Sequence, residues 1–368
     1  MSARPRILVA MSGGVDSSVA AAMLHLQGYD VVGIAMRLAP EPSSSSVRRR
    51  GTCCSHDDFE DARRVAERMD FPFYVVDMRK EFAFEVIDNF VSEYTAGRTP
   101  NPCVMCNREI KFDRLWRRAR AIGADLVATG HYARIDRDRA GRCHLHCASD
   151  RSKDQSYFLF SLGQDELART LFPLGEMTKA EVRAYARELG LANADKPESQ
   201  EICFVPDGDY ASFVELRARA GSLRPGRIID ASGQVVGEHR GIHRFTIGQR
   251  RGLGIARGEP LYVRNIDPNT SDVVVASREH LLASGFVASD VTLIDSLPDS
   301  AIIVADVKIR YRHPGIPAAV TLEPERRARV RFEQSGPAVT PGQACVFYRG
   351  DEVLGGGFIE RALTGAES

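Results

Sequence analysis

The sequence predicts an α/β domain built on a doubly wound parallel sheet, followed by a small β-rich linking domain and a C-terminal β-barrel. Over the first 130 or so residues, short apolar runs alternate with segments of helical spacing, which is typical of parallel strands joined by crossover helices. From about residue 222 the helical spacing stops. Short alternating runs split by glycine and proline follow, and these indicate a barrel or sandwich. We therefore expect domains at 1–205, 206–295 and 296–368.

The elements of the first domain follow from local pattern. Apolar runs predict strands at RILVAM (6–11), DVVGIAMRL (30–38), PFYVVDM (72–78) and ADLVATGHYA (124–133). Helices are predicted between these strands, over 17–27, 56–70, 80–97 and 110–123. A later amphipathic helix, over 178–190, begins with a threonine cap. Residues 198–210 are predicted to be extended, with turn residues.

Composition limits the classes of protein that this chain can belong to. It has 368 residues, 43% hydrophobic and 27% charged, which is ordinary for a globular protein of two or three domains. No apolar run is long enough to span a bilayer and the N-terminal residues lack a signal-peptide pattern, so a cytoplasmic protein with no membrane partner is expected. With 49 basic and 49 acidic residues, only local clusters of charge could indicate a nucleic-acid partner.

The hexapeptide SGGVDS (12–17) lies between a predicted strand and a predicted helix, where α/β sheets bind ligands. Gly13 and Gly14 let the backbone approach an anion closely, and the start of the helix supplies free N–H groups. Ser12 and Ser17 add hydroxyl donors, and Asp16 can hold a metal ion that bridges phosphates. No lysine follows at the Walker A position, so the loop is not of that type. The alternative interpretation is a plain glycine turn capped by serine.

The same hexapeptide resembles the pyrophosphate loop of the ATP-pyrophosphatase superfamily, whose members split ATP into AMP and pyrophosphate while adenylating a carbonyl or carboxyl oxygen. The resemblance implies a fold of that type, with ATP and Mg²⁺ as cofactors. It also implies that Met36 lies where adenine is bound and that Gly130 lies where a loop passes the nucleotide. The nucleotide-binding residues implied in this way are Ala10, Met11, Ser12, Gly13, Gly14, Val15, Asp16, Ser17, Met36 and Gly130.

Five further stretches resemble the tRNA-specific 2-thiouridylase family: GRTPNPCVMCNREIKF (97–112), SKDQSYFLF (152–160), ICFVP (202–206), GQRRGLG (248–254) and RYRHP (310–314). That family replaces O2 of the wobble uridine in tRNA with sulfur. The resemblance implies that ATP adenylates O2, releasing pyrophosphate, and that sulfur from a cysteine persulfide then displaces AMP. By the same resemblance Cys106 is the nucleophile, Cys203 carries the persulfide, and Asp16 belongs to the catalytic set.

The resemblance also implies partners. One is tRNA, and the other is a persulfide donor such as a cysteine desulfurase or a sulfur relay protein. A wobble base must be splayed out before its O2 can be reached, and residues 101–103 beside the nucleophile are expected to hold it. The expected tRNA-contacting residues are Asn101, Pro102, Cys103, His131, Lys153, Asp154, Gln155, Arg310, Tyr311 and Gln343.

The C-x-x-C pair of Cys103 and Cys106 leaves other interpretations open. With Cys203 it could hold a structural zinc ion, although a zinc site normally takes four ligands. We expect a site without metal. The alternative is a [4Fe–4S] cluster with one open iron, held by Cys103, Cys106 and Cys203. Many relatives carry aspartate where this chain has Cys103, so the role of that thiol is open, as is a disulfide between Cys106 and Cys203.

Two rival functions are consistent with parts of the sequence. One is an adenylating enzyme of the same superfamily that acts on a small molecule, although the β-rich C-terminal half and the two distant thiols argue against it. The other is a zinc- or cluster-containing RNA-binding module without catalysis, although the complete phosphate loop argues against that one.

Overall fold

The computed structural model describes residues 4–38, 56–197, 202–255 and 258–363. The described residues form two compact units, one drawn from Met1–Val86, Cys103–Gly208 and Asp351–Val353, the other from Ile87–Pro102, Asp209–Gly350 and Leu354–Ser368. The serine- and arginine-rich stretch at 41–51, with Cys53 and Cys54, lies outside the described residues. Among the helices that are described, none has the length and apolar character needed to cross a membrane.

The secondary structure alternates first and then becomes almost entirely β. The strands are β1 Arg6–Ala10, β2 Asp30–Arg37, β3 Phe73–Asp77, β4 Leu126–Thr129, β5 Ala133–Arg137, β6 Cys143–Cys147, β7 Thr170–Leu171, β8 Gly226–Asp230, β9 Val235–His239, β10 Tyr262–Asp267, β11 Asp272–Ala276, β12 Ala283–Leu293, β13 Ile302–Lys308, β14 Ile316–Glu323, β15 Arg327–Gly336, β16 Ala344–Arg349 and β17 Glu352–Leu363.

The α-helices are α1 Val15–Leu26, α2 His56–Met69, α3 Arg79–Phe82, α4 Asp88–Thr95, α5 Pro102–Met105, α6 Leu115–Ala121, α7 Gln164–Leu167, α8 Lys179–Glu188 and α9 Tyr210–Glu215. Two π-helical segments cover Ala83–Ile87 and Cys106–Arg114. Short 3-10 turns cover Ser156–Phe158, Pro206–Gly208, Ile242–Arg244 and Arg278–Leu281.

The first unit is built on a five-stranded sheet in the order β3-β2-β1-β4-β7, and every strand pair in it is parallel. The chain adds β2 and β3 on one side of β1 and then places β4 on the other side, so the doubly wound sheet is confirmed. β1 is apolar and almost wholly buried because it lies at the centre of the sheet. The topological switch point therefore lies between β1 and β4, where α/β sheets bind ligands.

Two helices pack close to this switch point. α1 buries an apolar face that includes Val19, Ala20 and Leu24, and it packs against α2 and α8. α8 begins at the threonine cap that the sequence predicts: Thr178 Oγ1 accepts a hydrogen bond from the Glu181 N–H, and the Glu181 carboxylate accepts one from the Thr178 N–H at 2.7 Å.

The second unit contains a four-stranded sheet, in the order β10-β11-β8-β9, and a closed six-stranded barrel. The barrel order is β12-β15-β14-β13-β16-β17, and pairing between β12 and β17 closes it. Along β13, Ile303, Ala305 and Val307 point into the barrel core, whereas Ile302 and Val304 are exposed. This period of two explains why the sequence predicts a barrel here.

Two expectations differ from the structure in detail. The stretch at 296–300 joins β12 to β13 inside the barrel, so the barrel starts before residue 296; β12 lacks a clean alternation that would mark it as a barrel strand. Of the segment predicted to be extended, residues 198–201 lie outside the described residues. The prediction is wrong for 202–208, which form turns and a 3-10 turn. The Asp209 side chain accepts a hydrogen bond from the Ser212 N–H at 3.1 Å and caps α9, so a helix starts where extension was expected.

Strands β5 and β6 form a hairpin in the first unit, and Glu352 and Val353 of β17 pair with β6. The hairpin carries His144 and His146, which are half-buried. His144 Nδ1 lies 2.7 Å from Glu352 Oε1, and its Nε2 lies 3.7 Å from Asp138 Oδ2. The hydrogen bond to Glu352 raises the pKa of His144 above its ordinary value, and burial opposes this rise. The charges of Glu352 and Asp136 and the polar contact with Asp138 add to it.

We expect the stability that His144 contributes to depend on pH. Because its folded-state pKa is raised, the contribution is complete below about pH 6.5 and is lost as the pH rises through the folded-state pKa. The difference in Tm between wild type and His144→Gln should therefore be largest near pH 5.5 and should shrink towards pH 9. His280→Gln is the control, because the contact of His280 is with a neutral group, the Ser277 hydroxyl, and not with a carboxylate. A His144→Gln difference that stays constant with pH would contradict this assignment.

Candidate active site

The loop at 11–14 lies at the carboxyl end of β1 and leads into α1. Gly13 has φ +75°, and a Cβ on it would lie 2.2 Å from the Asp58 carbonyl oxygen, so the backbone here packs too closely for any side chain. Gly14 is the N-cap residue of α1 and is extended. The first N–H groups of α1 therefore adjoin the loop, with the positive end of the helix dipole, and this is the physical basis of an anion site.

The serines of the loop are partly used to hold its shape. Buried Ser17 Oγ accepts a hydrogen bond from the Ser12 N–H at 3.1 Å and donates one to the Gly14 carbonyl at 3.2 Å. Ser18 is fully buried and accepts from Asn193 Nδ2. Ser12 is exposed, and its hydroxyl lies 3.3 Å from Ser17 Oγ. Ser12 is therefore the loop serine best placed to donate to a ligand.

Asp16, in the first turn of α1, already has a cation beside it. Lys179 Nζ lies 2.7 and 2.8 Å from the two carboxylate oxygens, and the Tyr132 hydroxyl donates to Oδ1 at 2.8 Å. Neither Lys179 nor Tyr132 could be recognised from the sequence as part of the site, because 163 and 116 residues separate them from Asp16. Mg²⁺ is commonly held by one or two carboxylates together with substrate phosphates, and a single carboxylate beside an anion loop fits that pattern.

Gly130 and Met36 lie at the ends of neighbouring strands. Gly130 follows β4, and a Cβ on it would lie 2.6 Å from Ser17 N and 2.7 Å from Asp16 C, so the end of β4 touches the first turn of α1. Met36 is a buried residue near the carboxyl end of β2. Both residues thus end up at the edge of the sheet where the phosphate loop lies.

Two residues from the segment after α8 also reach the loop. Asn193 Nδ2 donates to the Gly13 carbonyl at 3.0 Å, and Lys196 Nζ donates to the same oxygen at 3.2 Å. Lys196 is also paired with Asp58 and Asp61 of α2. Neither Asn193 nor Lys196 was a candidate from sequence. The quoted motifs gave no signal for them, because both residues lie outside the stretches that carry the resemblance.

Cys103 and Cys106 lie on one continuous helical run, formed by α5, the π-helical segment Cys106–Arg114 and α6. Cys103 is exposed and Cys106 is half-buried. Asn107 is buried, and its Nδ2 donates to the Phe158 carbonyl at 3.2 Å, which ties the start of the π segment to the turn after residues 153–155. π-Helical turns inside α-helices are frequent at functional sites, where they reorient side chains.

Cys203 is half-buried and lies in the turn that follows Ile202, whose carbonyl accepts a hydrogen bond from the Val205 N–H at 3.0 Å. The next residue, Phe204, packs edge-on against Phe82, with ring centroids 5.5 Å apart. Within the described parts of the chain, no three histidine, cysteine, aspartate or glutamate side chains are grouped to hold a metal ion. The three thiols as placed therefore do not fit a zinc or iron–sulfur site.

Four of the expected tRNA-contacting residues lie close to Gly130 in the first unit. Asp154 is buried, and its carboxylate accepts from Ala148 N, Ser156 N and Ser156 Oγ. Gln155 exchanges two hydrogen bonds with the backbone of Tyr132. Lys153 is half-buried.

His131, the fourth, is buried, and its Nδ1 lies 2.7 Å from Thr129 Oγ1. Burial, and then the charge of Lys111, hold the pKa of His131 well below its ordinary value, so the ring is neutral. Asp154, Gln155 and His131 thus have internal partners that fix the local backbone; contact with tRNA stays a prediction for all four residues.

Apart from Cys103, which belongs to the first unit, the remaining expected contacts belong to the second unit. Gln343 Nε2 donates to the carbonyls of Thr99 and Pro100, at 2.9 and 3.3 Å, so it positions the chain just before Asn101 and Pro102. Arg310 is exposed and donates to Thr340 Oγ1 at 3.1 Å, whereas Tyr311 is half-buried. Contact between any of these side chains and tRNA also stays a prediction.

Three family models match successive parts of the chain. Residues 5–207 match the family model described as tRNA methyl transferase HUP domain. Residues 216–277 match the tRNA methyl transferase PRC-barrel domain, and residues 283–359 match the aminomethyltransferase beta-barrel domain. Among solved structures, a 4-thiouridine synthetase–RNA complex with bound ATP superposes with a TM-score of 0.39 at 18% identity, over 58% of this chain and 50% of that chain. A likeness of that strength carries no argument about function.

Curated relatives match over almost their whole length. The chain is 55% identical to the tRNA-specific 2-thiouridylase MnmA of Geobacter metallireducens, over 98% of both chains. It is 53% identical to the protein of the same name from Geotalea uraniireducens, over 98% of this chain and 96% of that one. The corresponding protein of Solibacter usitatus is 52% identical, over 96% and 99%. The chain belongs to the tRNA-specific 2-thiouridylase family.

Proposed function

We propose that this protein is an ATP-dependent tRNA 2-thiouridylase, which replaces O2 of the wobble uridine with sulfur. The observation that carries the proposal is its identity of about half with 2-thiouridylases over nearly the full length of both chains. The geometry is consistent with it: an anion loop at the switch point of a parallel sheet and two half-buried thiols, Cys106 and Cys203, lie in one compact unit.

The phosphate loop gives a reason for using ATP. A uracil carbonyl oxygen is a poor leaving group, and attack of O2 on the α-phosphorus of ATP would convert it into an AMP ester, with pyrophosphate as the leaving group. The N–H groups at the start of α1 and the Ser12 hydroxyl would bind the pyrophosphate oxygens. Lys179, now on Asp16, lies beside the loop and can add positive charge. Mg²⁺ held by Asp16 and phosphate oxygens would neutralise part of the charge on the leaving pyrophosphate.

The two thiols give a reason for a persulfide route. With a persulfide on Cys203, the Cys106 thiolate would attack the inner sulfur, form a Cys106–Cys203 disulfide and release hydrosulfide. Hydrosulfide would then add to C2 of the adenylated base, and AMP would leave with the former O2. A thiol reductant must afterwards reduce the disulfide with two electrons. This sequence uses no metal cluster. The persulfide itself would come from a cysteine desulfurase or a sulfur relay protein.

Methyl transfer is the function that the names of the matching family models suggest. Thiolation is favoured because the curated relatives that match over the full length are named for it. The two reactions differ in their consumption of ATP. A thiolation that proceeds by adenylation releases one AMP and one pyrophosphate for each modified base and depends on an added persulfide donor.

We expect Cys106→Ser and Cys203→Ser each to lower formation of 2-thiouridine by about a hundredfold or more, since each thiol has its own part in sulfur transfer. Pyrophosphate release should persist in both variants, because adenylation uses the phosphate loop and precedes sulfur transfer. The measurement is nucleoside mass spectrometry of unmodified tRNA incubated anaerobically with protein, ATP, Mg²⁺ and a persulfide donor, with pyrophosphate assayed in parallel.

Cys345→Ala is the matched control, because the Cys345 thiol is buried in the barrel and burial raises its pKa to about 12. It should form 2-thiouridine at the wild-type rate. A wild-type protein that releases pyrophosphate in response to tRNA but never forms 2-thiouridine would reject thiolation and leave adenylation standing. Thiolation that Cys203→Ser carries out with free sulfide would favour a direct sulfide or cluster route.

Gly130→Ala tests the placement of the nucleotide against α1. The added Cβ would lie 2.6 Å from Ser17 N and would push the first turn of α1 away from β4. Overpacking of this kind costs about 1–3 kcal/mol, and we expect ATP affinity to fall by about tenfold or more with it. Gly258→Ala is the control, since a Cβ there meets nothing within 4 Å. Equal ATP affinities of the two variants in calorimetric titrations would refute this placement.

A further inference from the structure

We propose that Asn193 and Lys196 are positioning residues of the anion site, which act by fixing the peptide plane between Gly13 and Gly14. The inference rests on the proposed use of ATP and adds to it two residues outside the phosphate loop. Three observations carry it: the shared carbonyl that both side chains contact, the geometry of a trans peptide, and the way in which Lys196 itself is held.

Both side chains donate to one backbone oxygen. Asn193 Nδ2 lies 3.0 Å from Gly13 O and Lys196 Nζ lies 3.2 Å from it. Asn193 Nδ2 also donates to Ser18 Oγ at 2.9 Å, so the same amide joins the loop to the first turn of α1. The Gly13 carbonyl is thereby held on the side of the loop where Asn193 and Lys196 lie.

The orientation of this carbonyl decides where the next N–H points. The C=O and N–H of one trans peptide point in opposite directions, and the described chain has no cis peptide bond. When the Gly13 carbonyl points to Asn193 and Lys196, the Gly14 N–H points to the opposite side of the loop. A Gly-Gly peptide has little steric preference between its two orientations, so an external contact is needed to hold one of them. The held orientation presents an N–H donor, and not a carbonyl oxygen, to an anion.

The ammonium group of Lys196 is held by three acceptors, so Lys196 positions the loop and does not bind phosphate itself. Its ammonium group lies 2.6 Å from Asp58 Oδ1 and 2.7 Å from Asp61 Oδ2, so with Gly13 O all three of its N–H donors are used. Burial opposes the charge, but the hydrogen bonds to Asp58 and Asp61 raise the pKa of Lys196 above its ordinary value. Lys196 is therefore charged at neutral pH and is held by two carboxylates of α2.

The orientation of the Asn193 amide lowers the stability of the fold, and this supports a functional role for the residue. The residue is 3% exposed, and its Oδ1 has no hydrogen-bond partner among the described residues. A buried acceptor without a partner costs about 1–3 kcal/mol. The reversed amide would place Oδ1 against the Gly13 carbonyl oxygen, so the present orientation is the one that keeps both donations. The fold thus tolerates an unpaired acceptor in order to hold the Gly13 carbonyl.

The test measures Mg-ATP and adenosine binding by calorimetry for wild type, Lys196→Met, Lys196→Arg and Arg187→Ala. We expect Lys196→Met to weaken Mg-ATP binding by about tenfold or more and to leave adenosine binding within about twofold, because only the phosphates use the loop. Lys196→Arg, which keeps the charge and the donors, should recover most of the affinity and also serves if Lys196→Met folds poorly. Arg187→Ala breaks the Arg187–Asp195 ion pair of the same segment and should bind like wild type.

Lys196→Met combined with Asp61→Asn distinguishes two roles of Lys196: holding the Gly13 carbonyl and neutralising the carboxylates of α2. If Lys196 only neutralised Asp58 and Asp61, removing one carboxylate would restore Mg-ATP binding, and that result would overturn the inference. Binding that stays weak in the double variant supports a role through Gly13. Equal losses of ATP and adenosine binding in Lys196→Met would indicate general disruption and also overturn it. A wild-type protein that binds adenosine and ATP equally would instead remove the proposed function, since its loop would bind no phosphate.

Discussion

The site depends on how closely three backbone segments approach one another at the carboxyl ends of β1 and β4. A Cβ at Gly13 would meet the Asp58 carbonyl at 2.2 Å, and one at Gly130 would meet Ser17 N at 2.6 Å. These two contacts fix the first turn of α1 between the start of α2 and the end of β4. The helix N-terminus, the loop serines and Asp16 all take their positions from this packing.

Polar contacts then refine what the backbone packing allows. Asn193 and Asn107 are both buried, each donates through Nδ2 to a backbone carbonyl, and each has an Oδ1 without a partner among the described residues. Asn193 holds the loop at 11–14, and Asn107 holds the start of the π segment that carries Cys106. Such unpaired acceptors cost stability, and they are expected where a site needs one fixed geometry more than it needs the last few kcal/mol.

Much of this site could be predicted from sequence because its signals are local. The strand, the Gly-Gly turn and the helix lie between Arg6 and Leu26, and the threonine cap of α8 is contained in four residues. Lys179 and Lys196 could not be predicted as parts of the site, because they reach Asp16 and Gly13 from 163 and 183 residues away. The prediction of an extended segment at 202–208 was wrong for a local reason. The Asp209 cap and the turn before it outweigh the extended propensity of the apolar run.

The proposed function requires the loop at 11–14 to bind the phosphates of ATP through N–H groups that its neighbours hold in place. A crystal structure of the wild-type protein with Mg²⁺ and an ATP analogue that resists cleavage between the α- and β-phosphates tests it most directly. We predict that phosphate oxygens lie within hydrogen-bonding distance of Gly14 N and the Ser12 hydroxyl, with the Gly13 carbonyl still on Asn193 and Lys196. Phosphates bound elsewhere, or a Gly13 carbonyl turned towards them, would contradict the account.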